Sequence, residues 1–118
     1  MKLFCLGLNH ETAPVEIREK VSIAASHLGE ESQALLNGRE VIQEGLVLST
    51  CNRTEFYLAA EDLTSAATAL ADHLDERFGL TIDEHFYEKQ AREAATHLCR
   101  VVSGLDSMVL GETEIFGQ

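Results

Sequence analysis

Tryptophan is absent, proline occurs once, at Pro14, and the aromatics are five phenylalanines and two tyrosines among 118 residues. A hydrophobic share of 45% still provides for a real core, so that core is built mainly of aliphatic side chains, and the length fits one domain. Positive charge is scarce as well: nine lysines and arginines stand against twenty acidic residues, a formal net charge of −11. This balance argues against general nucleic-acid binding through a basic surface, although it is compatible with a local basic spot. No apolar run approaches the ~20 residues that span a bilayer, so no membrane is expected. The start, Met1-Lys2-Leu3-Phe4-Cys5-Leu6-Gly7, lacks the longer apolar region and cleavage site of a signal peptide and is expected to be a first strand.

Cysteine is sparse and odd in number: Cys5, Cys51 and Cys99, with no CxxC pair. Neither a structural zinc site nor a disulfide framework is indicated, and reduced thiols in the cytoplasm are expected. The five histidines include no pair four apart on one helix face, so no metal is expected. The glycine-containing segment Gly104-Leu105-Asp106-Ser107-Met108-Val109-Leu110-Gly111-Glu112 matches neither GxxxxGK[ST] nor GxGxxG, which leaves no nucleotide-binding signature.

The pattern that is present predicts alternating short elements. Lys2 to Leu8 is mostly apolar, like a central strand covered on both faces. Pro14 suits the first turn of a helix predicted over Val15 to Ala25, and a second helix is predicted from Ser26 to Asn37, stopped by Gly38. A strand over Val41 to Thr50, with Gly45 marking a bulge, is followed so closely by a strand over Arg53 to Ala60 that the two should form an antiparallel hairpin. Glu61 to Phe78 carries apolar residues every three to four positions, with Asp62 as a cap and Gly79 as a stop. His85 to Glu88 reads as a short strand and Gln90 to Ser103 as a helix, with Ala91, Ala94, Ala95, Leu98, Val101 and Val102 on one stripe. The order matches an α+β, ferredoxin-like β-α-β-β-α-β sandwich with an added C-terminal helix. The apolar groups of the segment ending at Gln118 are unaccounted for, and more protein is expected to follow.

Chemistry concentrates at Cys51. It ends the apolar run Leu46-Val47-Leu48 and sits in Ser49-Thr50-Cys51-Asn52-Arg53, at the tip of the predicted hairpin. A thiolate is the reactive form of cysteine and a neighbouring cation favours it, so Cys51 beside Arg53 is a candidate nucleophile on a rigid mount. The competing reading is an inert turn cysteine in a non-catalytic α/β interaction module. Arg53 is the best candidate for gripping a carboxylate with both arms of its fork. His97, placed at the edge of the last helix's apolar stripe, is either an acid, base or hydrogen-bond donor in a cleft or a half-buried histidine satisfied by a backbone carbonyl. Cys99 and Cys5 are expected in the core, and His10 either lines the site of Cys51 or stabilises its own loop.

Three blocks resemble glutamyl-tRNA reductase: Gly7 to Glu19 (GLNHETAPVEIRE), Leu48 to Glu55 (LSTCNRTE), and His97 to Gln118. Their order and spacing agree with that family's N-terminal catalytic, glutamyl-binding domain over essentially the whole chain, residues 1–118. The resemblance implies a ferredoxin-like fold for this region and makes Cys51 the nucleophile that attacks the ester of glutamyl-tRNA. A thioester results, which NADPH reduces to glutamate-1-semialdehyde for tetrapyrrole synthesis. It implies His97 as a residue supporting catalysis, and Thr50, Asn52, Arg53, Ser107, Glu112, Thr113, Glu114 and Gln118 as the residues that hold the glutamyl group. One departure stands out: Glu114 replaces the family's usual glutamine, and Thr113 stands where a proline is frequent, so an extra carboxylate faces an anionic substrate. The resemblance further implies an NADPH-binding domain and a helical dimerisation domain outside these residues, a homodimeric whole protein, and contact with the next enzyme of the pathway.

Overall fold

The computed structural model describes residues 1–23 and 25–104. Strands β1 (Lys2–Asn9), β2 (Glu44–Ser49), β3 (Arg53–Ala60) and β4 (Tyr87–Gln90) form one sheet in the order β2-β3-β1-β4, with every neighbouring pair antiparallel. Helices α1 (Val15–Lys20), α2 (Leu28–Leu36), α3 (Leu63–Phe78) and α4 (Ala91–Ser103) connect or extend the strands. This is the ferredoxin-like arrangement expected from the sequence, with α4 as the addition.

Strand alternation sorts the core into two layers. On one face Phe4 and Leu6 of β1, Val47 of β2, and Phe56 and Leu58 of β3 pack against Leu28 and Leu35 of α2 and Leu70 and Leu74 of α3. On the other face Cys5, Leu48 and Tyr57 lie beneath Ala94 and Val101 of α4. Burial on both faces explains why β1 reads as an almost continuous apolar run. The α3 signals are realised as expected: the Asp62 carboxylate accepts from the Thr64 N–H at 3.0 Å, and Gly79 closes the helix at φ 64°.

Four local expectations are corrected. The first helix ends at Lys20 instead of reaching Ala25, because the chain turns inward to bury both Val21 and Ile23, a two-residue spacing that a helix cannot place on one side. The Ile23 N–H then donates to the Ser49 hydroxyl at 3.1 Å, tying this segment to the end of β2. Gly45 marks no bulge: it pairs in register with Leu58, and a Cβ there would lie 3.1 Å from the Leu35 side chain, so the glycine lets α2 approach the sheet. The last strand begins at Tyr87, because Asp83 folds the preceding residues into a turn by accepting from the His85 N–H at 2.9 Å. The buried stripe of α4 is Ala94, His97 and Val101, so His97 lies inside the stripe instead of at its edge. Ala91, Ala95, Cys99 and Val102 are exposed, so Cys99 is not a core residue.

The two-layer packing makes a stability prediction. Leu70 is fully buried in the α3 layer, whereas Leu46 is 43% exposed on the opposite face of the sheet. Urea unfolding should show Leu70→Ala destabilised by ~2–5 kcal/mol and Leu46→Ala by no more than ~0.5 kcal/mol. Equal losses in the two variants would contradict this packing.

Candidate active site at the hairpin tip

Register sets the polar centre of the molecule. Arg53, Glu55 and Tyr57 alternate with Thr54 and Phe56 along β3, so all three face α4. Gly7 of β1 lies opposite Glu55 on one side and opposite Tyr87 of β4 on the other. A Cβ at Gly7 would sit 2.7 Å from the Glu55 side chain and 3.0 Å from the Tyr87 hydroxyl, so the absent side chain opens the space in which these groups meet.

Glu55 is the hub of that space. It is fully buried, accepts hydrogen bonds from the Tyr57 hydroxyl at 2.7 Å and from the Tyr87 hydroxyl, lies 2.5 Å from His97 Nε2, and pairs with Arg53 Nη1 at 3.4 Å. Burial alone would raise its pKa, but the hydrogen bonds from His97, Tyr87 and Tyr57 outweigh burial and hold the carboxyl below the ordinary glutamate range. An ionised carboxylate has no proton to give, which assigns the donor role to His97 Nε2. Burial, and then the Glu55 charge, push the Tyr87 phenol well above its usual range; burial does the same for Tyr57. Cys5, Glu55 and His97 place ligand-type atoms within 4.8 Å of one another. Burial, and then the Glu55 charge, push the Cys5 thiol far above its usual range, and the Glu55 oxygens are already engaged by Tyr57, Tyr87 and His97.

Cys51 lies outside this core, in solvent contact. The hairpin between β2 and β3 is closed by the Thr50 N–H donating to the Arg53 carbonyl at 2.7 Å, with the Asn52 N–H on the Thr50 hydroxyl at 3.2 Å. Cys51 is exposed at the tip, at the rim of a cleft of about 220 Å³. Thr50, Cys51 and Arg53 line one side of the cleft, and Arg18 and Glu19 of α1 the other. Arg18 reaches across and donates from Nη1 to the Cys51 carbonyl at 3.0 Å.

Of the residues singled out in the sequence, the fold thus brings Cys51, Thr50 and Arg53 together in one cleft. Arg53 is only 1% exposed and its charge is met by Glu55, so it joins the cleft to the buried hub. Asn52 is buried and is not among the cleft-lining residues. His97 does not line this cleft either. Its Nε2 bonds the Glu55 carboxylate, and it faces a separate groove of about 280 Å³ beside Asn9, Thr12, Tyr87, Lys89 and Arg100. His10 lies 3.6 Å from Glu11 in its own loop and is absent from the Cys51 cleft. Ser107, Glu112, Thr113, Glu114 and Gln118 lie outside the described residues.

Two central groups escaped the sequence reading. Glu55 carried a signal: a carboxylate at an inward position of an otherwise apolar strand demands partners. Arg18 carried none, because only the folded chain sets α1 against the hairpin tip 33 residues away.

Comparison with known proteins agrees over the whole length. Residues 6–118 match the family described as glutamyl-tRNAGlu reductase, N-terminal domain. A glutamyl-tRNA reductase of Akkermansia muciniphila is 48% identical over 120 residues, covering all of this chain and 35% of that protein. The chain therefore spans about a third of the length of that relative. The solved structure of glutamyl-tRNA reductase from Methanopyrus kandleri is similar with a TM-score of 0.65 and 30% identity, over 98% of this chain and 26% of that one.

The Glu55 hub makes a prediction with a defined sign. Its folded-state pKa is lowered, so its contribution to stability is complete above the ordinary glutamate range and is lost as the pH falls through the lowered value. Glu55→Gln removes one carboxylate from the buried Arg53 guanidinium and should cost ~3–5 kcal/mol near neutral pH. The gap between wild type and variant should narrow in acid. Denaturant unfolding from about pH 7 to about pH 3 measures it, and a gap independent of pH would contradict an ionised Glu55.

Proposed function

The chain belongs to the glutamyl-tRNA reductase family, matching its N-terminal domain, and on that premise we propose that Cys51 is the nucleophile for a glutamyl group delivered on tRNA. The Cys51 thiolate attacks the ester carbonyl carbon. A sulfur–carbon bond forms, the bond from that carbon to the terminal ribose oxygen of the tRNA breaks, and the oxygen leaves as a hydroxyl after taking a proton. The products are free tRNA and a glutamyl thioester, with no change of oxidation state.

One observation carries this reading: the exposed Cys51 sulfur stands on a short closed turn at the rim of a cleft that also holds two guanidinium groups, Arg18 and Arg53. An inert turn cysteine would require none of these. Arg53, held by Glu55, takes the side-chain carboxylate of the glutamyl group, and the Thr50 hydroxyl offers a hydrogen bond in the same cleft. His97 supports the step from the far side of Glu55, and its grip on that carboxylate keeps Arg53 in place. Asn52, Ser107, Glu112, Thr113, Glu114 and Gln118 complete the glutamyl site by resemblance to the family.

The resemblance names NADPH as reductant and gives its binding to a domain outside these residues. Among the described residues every strand pairing is antiparallel, and no glycine-rich turn leads from a strand into a helix. To this domain we assign the steps up to the thioester. Reduction to glutamate-1-semialdehyde, dimer formation and contact with a following enzyme are assigned to the larger family protein, in the cytoplasm. No described helix is long and apolar enough to cross a membrane.

Incubation with glutamyl-tRNA should add one glutamyl group to Cys51, read by intact-protein and peptide mass, and Cys51→Ser should abolish it. Equal labelling of the serine variant would remove Cys51 from the mechanism. In Arg53→Lys, half-maximal labelling should need about tenfold more substrate, because a point charge cannot replace the fork. An unchanged requirement would exclude Arg53 from carboxylate recognition.

A further inference from the structure

We propose that Arg18 supplies the second positive charge of the substrate cleft, holding the Cys51 turn by its carbonyl while balancing the carboxylate of the incoming glutamyl group. This rests on the reading of Cys51 as an acyl acceptor.

Charge counting motivates the assignment. The Arg53 charge is already met inside the fold by Glu55, at 3.4 Å, with both side chains essentially inaccessible. A substrate carboxylate that approached this neutral pair alone would leave one uncompensated negative charge in a partly enclosed cleft. Arg18 is the other cation lining that cleft, and it forms no ion pair among the described residues. Among the described residues, Arg53, Glu55 and Arg18 sum to zero with the substrate carboxylate, and Glu19 of the same cleft does so with the substrate's ammonium group.

The geometry of Arg18 agrees. Its Nη1 is committed to the Cys51 carbonyl at 3.0 Å, which fixes the guanidinium relative to the nucleophile's own residue. Its Nε is buried and has no acceptor among the described residues. An unmet buried donor is costly, and an anionic ligand that accepts from it removes that cost on binding. Glu19, on the same wall, has the sign that suits the free ammonium group of an aminoacyl ester. A glutaminyl ester lacks the carboxylate and would leave Arg18 unbalanced, so Arg18 becomes a determinant of glutamyl over glutaminyl selection.

Two alkylating reagents of nearly equal shape test this on the chain itself. Iodoacetate is an anion, iodoacetamide is neutral, and both consume the same thiolate, so the ratio of their rates at Cys51 reports local positive potential apart from thiol ionisation. Cys99, exposed on α4, serves as the internal reference in the same peptide-mass experiment. The ratio at Cys51 should exceed that at Cys99 and fall with added salt. Arg18→Gln should lower it about fivefold towards the Cys99 value, while Arg18→Lys, which keeps the charge, retains most of it. A ratio unmoved by Arg18→Gln, or parallel changes in both rates, would reduce Arg18 to a clamp on the turn and overturn the proposal. Should Arg18→Gln fail to fold, a wild-type ratio insensitive to salt would overturn it equally. The assay uses no tRNA, so it stands even where glutamyl transfer fails; transfer that succeeds with an unmoved ratio would sink Arg18 alone.

Discussion

The buried carboxylate of Glu55 is the constraint around which the α4 side of the sheet is organised. An ionised group removed from water must be repaid by partners, and here they come from two strands and a helix: Arg53 and Tyr57 of β3, Tyr87 of β4 and His97 of α4, with Gly7 of β1 kept bare to make room. The same requirement fixes the register of β1 between β3 and β4, since a slip of β1 by one residue would replace Gly7 opposite Glu55 by Leu6 or Leu8 and turn the side chains of β1 to the wrong layers. Fold specificity and site geometry thus share one polar cluster.

That cluster connects to chemistry through Arg53. Its guanidinium belongs to the buried hub and to the wall of the Cys51 cleft at once, so the position of a substrate-binding charge is set by packing beneath it and not by a mobile loop. The hairpin tip is held from the other side by Arg18 and from below by the Ser49 and Thr54 hydroxyls, which lie 2.9 Å apart and receive the Ile23 N–H on Ser49. A short, doubly tethered turn presents its cysteine in one orientation, which lowers the entropy lost when a nucleophile meets its target.

Much of this architecture was legible in advance. The hairpin followed from two strand-like runs separated by a tight polar turn, α3 from its period and caps, and the ferredoxin-like order from the succession of elements. The misplacements have specific causes. Val21 and Ile23 were read as the continuation of the first helix, but they are β-branched, weak helix formers, and core burial pulled them into an irregular segment. Gly45 looked like a bulge because a strand glycine has two explanations, and only the approach of Leu35 decides between them. Cys99 was drawn into too wide a stripe, since α4 covers the sheet with a narrow face centred on His97.

For the site, local order in the chain determined which residue types stand beside Cys51: the turn, the adjacent Thr50 and Arg53, and the solvent-facing tip are consequences of neighbours in sequence. The three-dimensional packing alone decided their partners. Arg18 meets Cys51 across 33 residues, and His97 meets Glu55 across 42. Such pairs form because a sheet register and a helix face place them together. Charge compensation between distant residues leaves no periodic trace in a linear sequence, whereas hydrophobic alternation and turn chemistry do.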